Sequence, residues 1–170
     1  MSDELKMAGV MEADLERKRW SLGFLFTSGL EYVMLLRKGK SLHIGLWNGV
    51  GGKVDKFEPY ETSMVRECFE ESGLQTQRTD WKRSAKLIGL DWSVGVFGMV
   101  GSDNRQGHPE YANMSLFKPN EFEVDKPIYV PVSSIPLLNL APYTAALIHL
   151  CLEKLKNPEM NPVAIQTYRY

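Results

Sequence analysis

An α/β fold, with a mixed β-sheet held between helices, is predicted from the order of patterns along the chain. Strand-like runs rich in aromatic and branched residues come first, an amphipathic helix follows at mid-chain, and further strands lead to a second amphipathic helix. At 170 residues, 44% hydrophobic and 24% charged, the chain has the size and composition of one soluble globular domain with a substantial core.

Residues 1–18 are charged and lack a clean period, which predicts a frayed or flexible arm. Trp20 to Phe26 and Tyr32 to Leu36 read as paired strands around Ser28-Gly29, a hairpin signal. A polar turn, Arg37 to Ser41, precedes Leu42 to Trp47. These run into Asn48-Gly49-Val50-Gly51-Gly52, where glycines permit sharp turns and close approach to a ligand. A helix is predicted to start near Pro59 or Tyr60, because proline's missing amide hydrogen would be unpaired in a first turn anyway. Met64, Val65, Cys68 and Phe69 supply its buried stripe, and Gly73 ends it. After the polar connection Gln75 to Arg83, strands are expected at Ala85 to Leu90 and Val94 to Val100. Gly101 to Glu110 read as a mobile loop. Ile128 to Val132 form a short strand stopped by Ser133-Ser134-Ile135-Pro136, and Tyr143 to Lys156 form the second helix, with Leu147, Ile148, Cys151, Leu152 and Leu155 inward. From Asn157 the chain carries two prolines and no period, which predicts a surface tail. The domain is thus expected over 19–157, between an arm at 1–18 and a tail at 158–170.

A formal charge of −1 and a pI near 6.3 leave no basic footprint for a long nucleic acid, so a small nucleotide is the better expectation. Cys68 and Cys151 make no metal-like cluster and read as buried free thiols of a reducing compartment. His43, His108 and His149 are scattered without ligand spacing. The first residues lack the pattern of a signal peptide, and no apolar run reaches membrane-spanning length. A cytoplasmic protein is expected, with no membrane partner.

On the predicted mid-chain helix, Glu67, Glu70 and Glu71 stand at i, i+3 and i+4, so their carboxylates share one face. Like charges at those spacings destabilise a helix by roughly 0.2–0.5 kcal/mol per pair. A cation reverses that sign. All-oxygen ligands suit a hard divalent ion, and Mg²⁺ keeps several waters and is completed by a substrate's phosphates. The cluster therefore predicts phosphate chemistry.

Gly52, five residues, Glu58, seven residues and then Arg66-Glu67-Cys68-Phe69-Glu70-Glu71-Ser72-Gly73-Leu74 resemble the Nudix box, G-x5-E-x7-R-E-U-x-E-E-x-G-U, with U apolar. A chance match at a given start is on the order of 10⁻⁹ from residue usage, so coincidence is not a serious alternative. The resemblance extends over roughly residues 20–156 and implies the Nudix fold, an α/β/α sandwich. It also implies hydrolysis of a nucleoside diphosphate linked to another moiety, by attack of water on a phosphorus of the pyrophosphate bridge. By the same resemblance Glu67, Glu70, Glu71 and the Gly51 carbonyl ligate Mg²⁺, or Mn²⁺ in its place. Arg66 orients catalytic carboxylates, with Glu58 as partner, and Glu67 is the first candidate for general base. Family enzymes often add a carboxylate from a later loop, here Glu121, Glu123 or Asp125, of which Glu123 is chosen. Lys38 and Lys53 match positions that often hold phosphate oxygens. Phe57 and Pro59 depart from the usual Gly and Thr around Glu58. Many relatives are dimers, so a homodimer is compatible with the resemblance.

Leu46 to Val54 resembles MutT-like members that cleave oxidised purine nucleoside triphosphates to the monophosphate and pyrophosphate. There the residue matching Asn48 reads the base edge. The Trp and acidic pair that those enzymes carry after the last strand are replaced here by Asn139-Leu140-Ala141-Pro142-Tyr143-Thr144. Tyr143 or Trp92 is then the candidate to stack on a base. The resemblance implies a nucleoside triphosphate, canonical or oxidised, as substrate. ADP-ribose or a dinucleoside polyphosphate is the alternative, and a non-catalytic nucleotide-binding regulator a further one.

Overall fold

The computed structural model describes residues 17–39, 43–101 and 124–167. Side chains alternate across its strands, and both sets are apolar. In β1, Lys18–Phe26, Phe24 and Phe26 join one buried cluster while Leu25 joins another. β2, Tyr32–Arg37, divides in the same way, with Val33 and Leu35 opposed to Met34 and Leu36. Two buried faces require a layer on each side of the sheet.

Those layers are α1, Tyr60–Ser72, which packs on β1, and α2, Thr144–Lys156, which covers β4, Lys82–Ile88, and β5, Trp92–Val100. The sheet runs β3-β2-β1-β5-β4-β7, with β3 at Trp47–Asn48 and β7 at Val163–Gln166, while β6, Ile128–Pro131, also pairs with β2. β1 and β5 are parallel from Lys18 beside Trp92 to Phe26 beside Val100, β4 and β7 are parallel, and the other pairs are antiparallel. The sheet is mixed, as expected. A 3₁₀ turn at Val132–Leu137 leads from β6 towards α2.

Strand β1 explains how α1 is seated. Arg19, Ser21, Gly23 and Leu25 share one face by the two-residue period of a strand. Arg19 lies under the Tyr60 ring at 5.5 Å, and Ser21 shares a 2.9 Å hydrogen bond with Ser63. A Cβ on Gly23 would meet the Met64 sulfur at 2.6 Å. Small and polar residues on β1 thus let the helix approach closely.

Two expectations change. Phe69, expected inside, is 53% exposed, whereas Tyr60, Ser63, Met64 and Cys68 are buried. Residues on a helix turn by about 100° each, so Phe69 falls a full step beyond Cys68 and off the arc that β1 covers. The tail, expected as surface chain, adds edge strand β7, with three of its four residues exposed. The expected N-terminal arm up to residue 16 and the loop of 102–110 lie outside the described residues.

Candidate active site

The glycine segment after β3 lies against β1. Val50 and Gly23 exchange backbone hydrogen bonds of 2.8 and 3.1 Å, Ser21 N–H donates to the Gly52 carbonyl at 2.9 Å, and Val54 N–H donates to the Arg19 carbonyl at 2.9 Å. Gly51 has φ +146°, and a Cβ there would strike the Ser21 carbonyl oxygen. Only glycine is free in that conformation. The Gly51 N–H turns towards α1 and donates to Glu71 Oε2 at 2.7 Å. At Gly52 a side chain would collide with the Glu67 carboxylate. Gly52 therefore makes room for Glu67, while Gly51 fits against β1 and aims its N–H at Glu71.

α1 carries the carboxylates because its ends and its entry turn are fixed. Pro59 precedes its first residue, and Gly73, at φ 72°, ends it with its N–H on the Phe69 carbonyl at 2.8 Å. Arg19, 3% exposed, donates to the carbonyls of Glu58 at 3.0 Å and Asp55 at 2.6 Å, so it ties the turn before the helix to β1. Phe57 stands in that turn at φ 68°. In place of the usual glycine, a phenylalanine thus takes a left-handed backbone here.

Arg66 is the centre of the charge network. Its Nε and Nη2 donate to the two Glu58 oxygens at 3.2 and 3.1 Å, and its Nη1 donates to Glu67 Oε1 at 2.7 Å. Nη2 also reaches the Lys53 carbonyl at 3.0 Å, and Nη1 lies 3.5 Å from Glu70. Burial favours the neutral form of Glu58, but the hydrogen bonds from Arg66 and the Asp55 amide, with the Arg66 and Arg19 charges, more than offset it and hold the carboxyl below its usual range. Burial raises the Glu67 carboxyl above its usual range; Arg66 opposes the rise, and the Glu70 and Glu71 charges add to it. Two glutamates on one arginine thus shift in opposite directions.

Glu71 has both oxygens engaged, Oε2 by Gly51 and Oε1 by Lys38 Nζ at 2.7 Å. Among the described residues no three His, Cys, Asp or Glu side chains converge as a ready ligand group. Lys38 and Arg66 hold Glu71 and Glu67 instead. The donor set still fits a hard divalent ion: it is all oxygen, it shares one helix face, and the charges of Glu70 and Glu71 bear on the half-buried Glu67.

The other end of the site forms where β3 meets the start of α2. Trp47 N–H donates to the Asn139 carbonyl and Ala141 N–H to the Trp47 carbonyl, both at 2.9 Å. Asn48 Oδ1 accepts from Gly49 N–H at 2.9 Å and from the Thr144 hydroxyl at 3.1 Å. Tyr143 has φ 66° and is 58% exposed, beside that bond. Lys53 has an exposed side chain.

Trp92 does not belong to this group. It pairs with Lys18 and packs against Gly89 and the cluster under α2, whereas Gly49, next to Asn48, borders Phe24, six residues or about 20 Å further along β1. Its ring closes the β4–β5 turn. Of the later carboxylates, Asp125 accepts from Gly39 N–H at 2.9 Å, and Glu121 and Glu123 lie outside the described residues. Arg19, Ser21 and Thr144 were not singled out in the sequence. For the first two, polar residues alternating on an otherwise apolar strand were the available signal; for Thr144 there was none.

A family model described as the NUDIX domain matches residues 17–147. Mouse oxidized purine nucleoside triphosphate hydrolase is 30% identical over 133 residues, which cover 73% of this chain and 74% of that protein. Among solved structures, the NUDIX domain of Shewanella oneidensis NrtR, complexed with ADP ribose, superposes with a TM-score of 0.62 at 16% identity, covering 91% of this chain and 99% of that one. A MutT structure from work on Aliivibrio salmonicida and Vibrio cholerae gives 0.56 at 19% identity, covering 80% of this chain and 97% of that one. Box, sheet order and relatives agree, and the chain belongs to the Nudix family as one of its pyrophosphohydrolases.

Proposed function

We propose that the protein hydrolyses a nucleoside triphosphate, canonical or with an oxidised purine, to the monophosphate and pyrophosphate with Mg²⁺ as cofactor. The observation that carries this reading is the Gly51 N–H bond to Glu71. It joins the carboxylate face of α1 to a backbone segment that has Asn48 three residues upstream, about 10 Å of extended chain. That is the order of the span from a nucleobase edge to its phosphates. The relationship to the mouse enzyme supports the same substrate class.

Glu67, Glu70 and Glu71 would hold the ion with the Gly51 carbonyl, and Glu123 is the further carboxylate we favour. The bound ion supplies a more acidic water and offsets charge developing on the bridging oxygen. Glu67, raised by burial, is suited to take the proton of the attacking water. Arg66 keeps Glu67 and Glu58 in place through its three short hydrogen bonds. Lys38 and Lys53 would neutralise phosphate oxygens, and the Tyr143 ring would stack on the base. Cys68 and Cys151, buried and not joined in a disulfide, suit a reducing cytoplasm. Among the described residues no helix is long and apolar enough to cross a membrane.

The test is product chromatography after incubation with Mg²⁺ and canonical and oxidised nucleoside triphosphates, ADP-ribose and dinucleoside polyphosphates. Monophosphate and pyrophosphate from a triphosphate, lost in Glu70→Gln and Glu71→Gln, is the expected result. AMP from ADP-ribose or a dinucleotide would overturn the substrate class, and binding without turnover would overturn the enzyme.

A further inference from the structure

We propose that Thr144 is a specificity-determining positioning residue, whose hydroxyl joins the polarity-setting Gly49 N–H in holding the Asn48 amide with its donors towards the base and so selects a base edge presenting an acceptor. The proposal rests on the reading of Asn48 as the residue facing the base.

The two ends of an asparagine amide have the same shape, and only their partners fix which way round it sits. Here one partner decides. Gly49 N–H can only donate, so the atom 2.9 Å from it is the oxygen. The Thr144 hydroxyl, 3.1 Å from that oxygen, then acts as a second donor. Asn48 is 9% exposed and Thr144 1%, so water does not compete freely for either bond. With Oδ1 engaged by two protein donors, the Nδ2–H groups are what Asn48 has left to offer a ligand. An inverted amide would set donor against donor at Gly49 and leave the hydroxyl to accept instead.

The lock spans distant parts of the chain, since Thr144 is 96 residues beyond Asn48. Its register is set by backbone. The Trp47 hydrogen bonds to Asn139 and Ala141 pin the segment before α2 against β3, so the first residue of α2 arrives at Asn48. Tyr143 supports the same geometry: its left-handed backbone turns the chain into α2 with the ring exposed and the next side chain buried.

Donors alone favour an oxo group over an amino group at the contacted edge. Inosine and adenosine triphosphates test this, because they differ by 6-oxo with a protonated N1 against 6-amino with a bare N1. The measurement is the ratio of kcat/KM for the two in Mg²⁺. The wild type is expected to prefer inosine triphosphate. Thr144→Val, which keeps the shape and removes the hydroxyl, should lower the ratio about fivefold, the worth of one hydrogen bond. Thr144→Ser should restore it. Asn48→Asp, which offers only acceptors, should reverse the preference, and it decides the matter if the valine variant does not fold. A wild-type preference for adenosine triphosphate, an unchanged ratio in Thr144→Val, or no reversal in Asn48→Asp overturns this proposal and leaves triphosphate hydrolysis standing. Absence of turnover with both nucleotides overturns the triphosphate reading and this proposal with it.

Discussion

At one end of the site Arg66 gathers Glu58 and Glu67 within 3.2 Å and the backbone of Lys53 at 3.0 Å, all inside a stretch of the chain from 53 to 67. At the other end a single amide, Asn48, is fixed by a hydroxyl from α2, and an exposed tyrosine stands beside it in a left-handed conformation. The first end is local, charged and held by a helix. The second is remote in sequence, nearly neutral and assembled by contact between β3 and the start of α2. The contrast separates two kinds of work: a charged end can serve any pyrophosphate, whereas a neutral end of fixed hydrogen-bond polarity can distinguish one base from another. The box end is therefore where damage should abolish catalysis, and the amide end where it should alter choice of substrate.

Replacing Arg66 with methionine tests the first half of that division and carries the largest expected effect. It strips Glu58 and Glu67 of their common donor at a partly buried site, which should cost about 1–3 kcal/mol of stability in chemical denaturation. It should also lower kcat by about 10²-fold or more, as a general base loses its orientation. A kcat within a few fold of wild type would break the comparison, because the box end would then tolerate loss of its centre.

Tyr143→Gly sharpens the other half. Glycine relieves a left-handed backbone that costs an ordinary residue about 1–2 kcal/mol, partly offset by its own greater loss of entropy on folding. Stability should rise by about 0.5–1 kcal/mol while KM for a triphosphate rises about tenfold through loss of stacking, with kcat little changed. Tyr143→Phe should keep the KM. Equal losses of kcat and kcat/KM in the glycine variant would show that the ring serves chemistry and not binding.

The smallest effect concerns Glu58, whose carboxyl is held below its usual range. A depressed carboxyl contributes stability above its unfolded pKa, and that contribution is lost as the pH falls through the folded one. Denaturant midpoints measured between pH 6 and pH 3 should fall more steeply for wild type than for Glu58→Gln, by about 1 kcal/mol or less at this partly exposed pair. Parallel curves would remove Glu58 from the network that holds the box together.

The alternation of Phe24, Leu25 and Phe26, the capping glycine at 73 and the spacing of Glu67, Glu70 and Glu71 could be read directly, because each depends on residues within a turn or two of one another. Phe69 was misread because a helical period marks a face without measuring how wide an arc the sheet covers. The separation of Trp92 from Asn48 could not be read, because aromatic character carries no information about where β5 lies along β1, and pairing with Lys18 sets Trp92 apart.

By itself the sequence determined the family, the helix that bears the carboxylates and the face they share, since i, i+3 and i+4 positions meet whatever surrounds the helix. It also marked Gly51 and Gly52 as places of close approach, and they lie against Glu71 and Glu67. The resemblance already paired Arg66 with Glu58; only the tertiary structure decided the other donors, Lys38 for Glu71, Arg66 Nη1 for Glu67, and Arg19 for the carbonyls of the turn before the helix. It alone decided that Thr144 adds a second donor to the Asn48 oxygen, because that hydroxyl arrives from 96 residues away through strand pairing that no local pattern encodes.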